Sequence, residues 1–161
     1  MLEAIQQLDP YLSVAVTAMS PILELRGSVP LGIIVFDMHP LVVGGLSIVA
    51  LMIPIILWLL FLQYAVAKVR TWHTKIDRFF GWLFKRTYHR HSSSFEHWGS
   101  LALMIFVAIP LPFTGAWTGA LLAYLFGIKF VRAIAFIAVG LLATCIIMTV
   151  ISLGGVHILG L

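Results

Sequence analysis

Two long apolar segments without a charged residue constrain the fold of this chain more than any other feature. Residues 41–67 are 27 consecutive uncharged positions, and residues 133–156 are 24. A helix needs about 20 apolar residues to cross the hydrocarbon core of a bilayer, so each segment is predicted to be a transmembrane helix. Pro54 lies inside the first segment and is expected to kink it, because proline removes a backbone hydrogen-bond donor.

The composition of the whole chain agrees with a membrane environment. Of its 161 residues, 61% are apolar and 10% are charged, and the mean hydropathy is +1.08. Soluble domains are roughly half apolar, and a soluble domain of this size has too little interior to bury so much apolar surface. The chain is therefore predicted to be one integral membrane domain, located in the cytoplasmic membrane.

Two further apolar segments, residues 10–37 and 99–128, are interrupted near their centres by the sequences ELRGSVPLG and IPLPFTG. The apolar stretches that flank each interruption are individually too short to span a bilayer core of about 30 Å. Each segment is predicted to form a re-entrant hairpin, in which two short helices enter and leave the membrane on the same side. The residues expected to break the helices are Gly27, Pro30, Pro110, Pro112 and Gly115.

The distribution of basic residues sets the predicted topology. Seven of the ten Lys and Arg residues lie between positions 68 and 90, which indicates a cytoplasmic flank. If both interrupted segments are hairpins, Lys129 and Arg132 fall on the same side as this cluster. The predicted order is then a hairpin and a helix, repeated with inverted orientation, with both termini external. The alternative is a four-helix bundle in which the interrupted segments are proline-kinked spans.

Residues 68–98 are predicted to contain an amphipathic helix that lies on the inner membrane surface. Apolar residues between positions 72 and 83 follow helical spacing, and most basic residues fall on other faces. Basic side chains on such a helix are attracted to anionic lipid headgroups. The residues expected to contact the lipid surface are Lys68, Arg70, Lys75, Arg78, Lys85 and Arg86.

Glu24 and Arg26 are the ionisable residues expected at membrane depth. A charge at that depth costs at least about 2.5 kcal/mol on insertion scales, so the pair points to a substrate or proton site. Burial disfavours the charged form of a carboxylate, which suits a proton carrier, and Arg26 could hold a phosphate or carboxylate group. Gly27 is expected to unwind the local helix so that both side chains face one cavity. A structural ion pair is the alternative.

The second interruption carries no charge but supplies polar groups for the same site. The hydroxyls of Thr114 and Thr118 and the indole N–H of Trp117 could satisfy freed backbone groups or bind a polar group of a ligand. Trp117 could also stack on a cationic or amphipathic substrate. Gly115 and Gly119 are spaced to allow close approach of two helices.

The sequence offers no support for several other function classes. It contains no arrangement of nucleophile, base and orienting group and no phosphate-binding loop for ATP, so no enzymatic activity is expected. The histidines near position 90 lie in a polar loop without the cysteines or carboxylates that would complete a metal site, and no cofactor is expected. The local basic cluster indicates lipid rather than nucleic acid.

The two interrupted motifs also carry a resemblance to a known family. ELRGSVPLG, followed far downstream by PLPFTGAWTGALLAYLFG, resembles the small multidrug export family. That family is similar in architecture to the DedA (VTT-domain) membrane proteins, which implies two opposed re-entrant hairpins and proton-linked transport of polyprenyl-phosphate or other lipids. By this resemblance Glu24 matches the acidic residue of the first hairpin. The arginine of the DedA second hairpin has no counterpart in residues 99–128.

The sequence thus predicts a small secondary transporter, which could be coupled to protons, for an amphipathic, anionic, lipid-phosphate or drug-like substrate. Its small size favours a homo-oligomer, most simply a homodimer. The alternative from another class is a non-transporting membrane factor that binds lipids or assists membrane-protein assembly.

Overall fold

The structure, a computed structural model, describes residues 9–72, 94–110 and 115–159, and within them the side chains of residues 9–64, 99–110 and 115–155. Every regular element in these ranges is helical, which confirms the predicted all-α class. The helices are α1 (Pro10–Met19), α2 (Glu24–Pro30, continued by a π-helical turn at Leu31–Val35), α3 (Pro40–Trp72), α4 (Ser94–Ala108), α5 (Ala116–Leu125) and α6 (Phe130–Leu159).

Among the described residues, two segments are long and apolar enough to cross a membrane: Pro40–Tyr64 in α3 and Phe130–Gly155 in α6. Both lie where the sequence predicts spans, and α3 continues through Pro54. Only 33% and 22% of their most apolar windows are buried inside the chain, and Leu41 and Val131 are 80% and 76% exposed. The core helix of a soluble protein would bury such side chains, whereas outward apolar faces are expected of helices in lipid.

The first interrupted segment is a pair of antiparallel helices, α1 and α2, with a break earlier than predicted. The turn lies at residues 20–23, and Glu24–Pro30 is helical, so the expectation that Gly27 unwinds the chain is wrong. Gly27 instead allows close packing, since a Cβ there would lie 3.2 Å from Thr17 Cγ2. Pro30 does not end the helix either; it is followed by the wider π-helical turn, a common adjustment where a backbone bond is lost.

The second interrupted segment is the antiparallel pair α4 and α5, and α4 ends at Ala108 and α5 begins at Ala116, on either side of the predicted break. Gly119 of α5 faces α4, because a Cβ at this position would lie 2.6 Å from Val107 Cγ2. The last turn of α4 is closed by α6, where the Thr144 hydroxyl donates to the Val107 carbonyl at 2.8 Å. This bond satisfies a carbonyl at a helix end, where intrahelical donors run out.

The two halves of the chain pack in a corresponding way. Within the halves, α1 packs on α3 and α4 packs on α6; between the halves, α2 packs on α6 and α5 packs on α3. Helix α3 approaches α6 closely at Gly44, where a Cβ would lie 2.7 Å from Cys145 Sγ. One buried apolar core joins all six helices and includes Val14, Leu25, Leu51, Val107, Ala120 and Ile137. This packing brings the turns of the two hairpins next to each other.

The predicted interfacial segment, residues 68–98, begins and ends inside longer helices. Residues 68–72, which include Lys68 and Arg70, form the last part of α3, and residues 94–98 begin α4. Both helices thus continue past the apolar segments into the predicted interfacial segment, and most of that segment lies outside the described residues. The remaining residues predicted to contact lipid lie outside the described residues: Lys75, Arg78, Lys85 and Arg86.

Candidate functional site

The candidate site lies where Glu24, at the turn of the first hairpin, meets the first turn of α5 in the second. The Glu24 carboxylate accepts the backbone N–H of Ala116 at 3.3 Å and that of Trp117 at 3.4 Å. Glu24 is only 7% exposed. These two bonds join residues 92 and 93 positions apart, so they connect the two halves of the chain at their interrupted segments.

The first turn of α5 is suited to hold a carboxylate. The first N–H groups of a helix have no acceptor within the helix, and the helix dipole places a partial positive charge there. The residue before α5 is Gly115, which provides no side-chain cap, whereas α1 is capped locally by Asp9, whose Oδ1 accepts from Tyr11 N at 2.9 Å. Glu24 therefore does for α5, from a distant part of the chain, what an N-cap residue does for other helices.

Gly115 makes the contact with Glu24 possible. A Cβ at this position would lie 2.6 Å from Glu24 Oε1 and 2.7 Å from Cδ, far inside any real contact distance. The sequence predicts helix packing for both Gly115 and Gly119. The structure divides these roles, with Gly119 against Val107 and Gly115 against the Glu24 carboxylate.

The backbone of Glu24 is unusual for a residue with a side chain. Its φ is +46°, in the left-handed region that costs a non-glycine residue about 1–3 kcal/mol. The conformation occurs where the turn at residues 20–23 leads into α2. A non-glycine residue keeps a left-handed backbone conformation only where the surrounding structure stabilises it. For Glu24 the surrounding structure includes the first turn of α5.

Arg26 is the charged partner of this site. Its positive charge acts on the Glu24 carboxylate, and the side chain is half-buried. Side chains two positions apart in a regular helix point away from each other, but Glu24 precedes the regular part of α2 and is not subject to that restriction. The predicted departure from regular helix geometry thus occurs at Glu24 rather than at Gly27.

Aromatic rings border the site on the side of α3. The ring of Trp117 lies 5.9 Å from that of Trp58, tilted by 52°, and Trp58 stacks on Phe61 at 5.6 Å. The buried Trp117 Nε1 has no hydrogen-bond acceptor within the described ranges. Trp58 was missed by the sequence analysis, because it lies within an unbroken apolar segment and only the packing of α5 on α3 brings it to the site.

The other residues predicted for the site lie in α2, in α5 and in the second interruption. The Thr118 hydroxyl donates to the Gly115 carbonyl at 3.2 Å, so it satisfies a backbone group, one of the two roles expected of it. Pro110 is half-buried after the end of α4, while Pro112 and Thr114 lie outside the described residues. Gly27 and Pro30 lie along α2, where they shape the helix and its packing.

A comparison with protein families gives an independent view of the same residues. Residues 24–147 match the model of a family described as "Putative small multi-drug export protein". The match begins at Glu24 and includes the first turn of α5, so it contains both sides of the contact. No curated protein and no solved structure matched the chain.

Proposed function

The chain belongs to the small multi-drug export family, and on this premise we propose that it is a small secondary transporter that exports amphipathic, drug-like molecules in exchange for protons. The observation that carries the proposal is the bond of the buried Glu24 carboxylate to the backbone of Ala116 and Trp117. Ionisable residues at membrane depth generally belong to substrate or proton pathways.

Glu24 is the proposed exchange group. Backbone N–H donors bind a charged carboxylate more strongly than a neutral one, so adding a proton to Glu24 weakens the contact between the hairpins. A cationic substrate that pairs with the carboxylate competes with the proton for the same group. Because one carboxylate cannot satisfy both at once, binding of the substrate is linked to release of a proton.

The surroundings of Glu24 favour an amphipathic substrate. Trp117 and Trp58 offer aromatic faces beside the carboxylate, and such faces attract organic cations. A lipid phosphate is a second candidate, favoured by Arg26 and by the N–H groups of α5, which become available to another anion once Glu24 is protonated. The resemblance to DedA proteins implies this second substrate.

We place the site near the middle of the bilayer. A Cβ on Gly32 would lie 2.6 Å from Val43 Cγ1, and Glu24 lies about two helical turns further along antiparallel α2, level with the centre of Pro40–Tyr64. The corresponding packing of the two halves supports re-entrant hairpins in an inverted repeat, with a site where the two interruptions meet. A homodimer in the cytoplasmic membrane, with external termini, completes the proposal.

The proposal is tested by proton exchange in proteoliposomes. Purified protein is reconstituted with pyranine inside an acidic lumen, and tetraphenylphosphonium is added outside as an amphipathic cation. The lumenal pH is expected to rise with the wild type, and Glu24→Gln is expected to slow this rise about tenfold or more, because the exchanging charge is lost. Asp37→Asn is the matched control: Asp37 is an exposed acidic residue of the same segment with a φ of +49°, which asparagine tolerates.

Each outcome of this experiment assigns or removes a function. A response to a short-chain lipid phosphate, but not to tetraphenylphosphonium, would replace the first substrate class by the second. Equal responses of the wild type and Glu24→Gln would remove Glu24 as the exchange group. No response to either compound from folded protein would contradict transport and favour a non-transporting membrane factor.

A further inference from the structure

Three buried hydroxyl groups in the first half of the chain have no hydrogen-bond partner among the described residues. They are Thr17 Oγ1 in α1, Ser28 Oγ in α2 and Ser47 Oγ in α3, and these residues are 4%, 0% and 0% exposed. A buried hydroxyl without a partner costs about 1–3 kcal/mol. Such groups in proteins are therefore normally bonded to the chain or to buried water.

The packing of α1 on α2 brings two of these hydroxyl groups to one level. Thr17 faces the position next to Ser28, since a Cβ on Gly27 would lie 3.2 Å from Thr17 Cγ2. The two helices run antiparallel, and both Thr17 and Ser28 are buried.

The packing of α2 on α3 brings the third hydroxyl group to the same level. Gly32 faces Val43, and the short connection between α2 and α3 makes them antiparallel neighbours. Ser28 lies about one turn before Gly32, and Ser47 lies about one turn after Val43. Ser28 and Ser47 are therefore level with each other, and both are fully buried.

These hydroxyl groups are also aligned with Glu24. Ser28 follows Glu24 by four residues and so lies about one helical turn further along α2. The three hydroxyls lie between Glu24, at the turn of the first hairpin, and the open end of that hairpin, where α1 begins and α2 ends. The charge that acts on the carboxylate at the inner end is that of Arg26.

We propose that Thr17, Ser28 and Ser47 line a seam that holds water and gives protons access to Glu24 from the open end of the first hairpin. Water in the seam satisfies the three hydroxyl groups, and a chain of water molecules can pass a proton to a carboxylate. The proton step rests on the proposed exchange at Glu24, whereas the presence of water does not.

Buried hydroxyl groups in the second half of the chain differ from these three, because they have hydrogen-bond acceptors. There the hydroxyl of Ser152 donates to the Met148 carbonyl at 2.8 Å, and that of Thr144 donates to the Gly140 carbonyl of its own helix at 3.1 Å. Serine and threonine inside an apolar helix ordinarily satisfy themselves in this way. Buried hydroxyls that do not do so need another partner, and in proteins buried water ordinarily supplies it.

Thiol labelling tests for water in the seam. Ser47→Cys and Ser28→Cys are made in a Cys145→Ala background, reconstituted in liposomes and treated with a small water-soluble methanethiosulfonate, which reacts with the thiolate form. Ser152→Cys is the matched control, because Ser152 is also buried, at 2% exposure, but is bonded to its own helix. The seam cysteines are expected to react about tenfold faster or more, since a thiol in apolar surroundings is inert. Equal rates at the three positions would overturn the seam.

Proton access is tested separately with the double variant Ser28→Ala, Ser47→Ala in the tetraphenylphosphonium assay. Exchange is expected to slow several-fold while Ser152→Ala exchanges as the wild type does, because only the first variant removes groups that hold water. Fast labelling with unchanged exchange would overturn the proton path. A failure of exchange at Glu24 itself would appear as equal rates of the wild type and Glu24→Gln, and the labelling result would still stand.

Discussion

The two helical hairpins contribute different chemistry to one contact. The first supplies side chains: the Glu24 carboxylate, the Arg26 guanidinium and the hydroxyls of Thr17 and Ser28. The second supplies backbone, namely the N–H groups of Ala116 and Trp117 and the space left by Gly115. No charged residue occurs in residues 99–128, and the Thr118 hydroxyl there is bonded to a carbonyl.

This difference shows that the N-terminus of a helix can bind a carboxylate in place of a basic side chain. An arginine in the second hairpin would offer Glu24 a full positive charge. The first turn of α5 instead offers two N–H donors and about half a positive charge from the helix dipole. The carboxylate is therefore partnered across the two halves although residues 99–128 carry no charged side chain.

The largest expected effect comes from filling the space that the second hairpin leaves for the first. Gly115→Ala would place a methyl group against the Glu24 carboxylate and separate the hairpins. We expect a loss of about 3 kcal/mol in unfolding free energy, from overpacking and loss of the distant cap together. The measurement is unfolding in mixed detergent micelles, followed by circular dichroism.

The control for this substitution is Gly45→Ala. A Cβ on Gly45 would have no neighbour within 4 Å, and alanine is favoured over glycine in a helix by about 1 kcal/mol, so this variant should be as stable as the wild type or more so. If Gly115→Ala behaves like Gly45→Ala, the close contact between the hairpins is not present in the folded protein.

The next effect comes from removing the charge of the first hairpin without changing its shape. Glu24→Gln keeps one carbonyl acceptor but loses the charge that faces the first turn of α5. We expect the unfolding free energy to fall by about 1–2 kcal/mol, because charge-assisted bonds are stronger than neutral ones. Asp37→Asn should change it by less than about 0.5 kcal/mol, as surface substitutions usually do. Equal losses in the two variants would argue against the bond to α5.

A smaller effect should distinguish the hydroxyl groups of the two halves. Thr144→Val removes the bond to the Val107 carbonyl at nearly constant volume, and we expect a loss of about 0.5–1 kcal/mol in unfolding free energy. Ser28→Ala removes a hydroxyl without a partner in the described part of the chain and should cost less. Denaturation measures the unfolding free energy of both variants. A larger loss for Ser28→Ala than for Thr144→Val would contradict this difference between the two halves.

The smallest effect is expected for Trp117→Phe. This change keeps an aromatic ring facing Trp58 but removes an indole N–H that donates to no described residue. The unfolding free energy should change by less than about 0.5 kcal/mol, because aromatic packing is retained. Thermal unfolding of the variant checks this, and a loss as large as that of Glu24→Gln would mean that the indole N–H has a structural partner.

Much of the fold could be predicted from local sequence because hydropathy acts on each residue separately. The spans at α3 and α6 and the break before α5 were located within a few residues, since charge-free length and closely spaced prolines have local consequences. The first break was misplaced at Gly27, because local helix propensity is weak compared with packing. Helix α2 lies against α1, α3 and α6, and Gly27 serves that packing.

The sequence by itself determined that this chain belongs in a membrane, where its helices lie and that Glu24 and Arg26 stand out among its few charges. Only the tertiary structure decided what Glu24 binds and that Trp58 lies beside the site. The physical reason is that the partners of Glu24 are backbone N–H groups more than ninety residues away. Every residue except proline has such a group, so no residue type marks it, and only its position at the start of a packed helix makes it a partner.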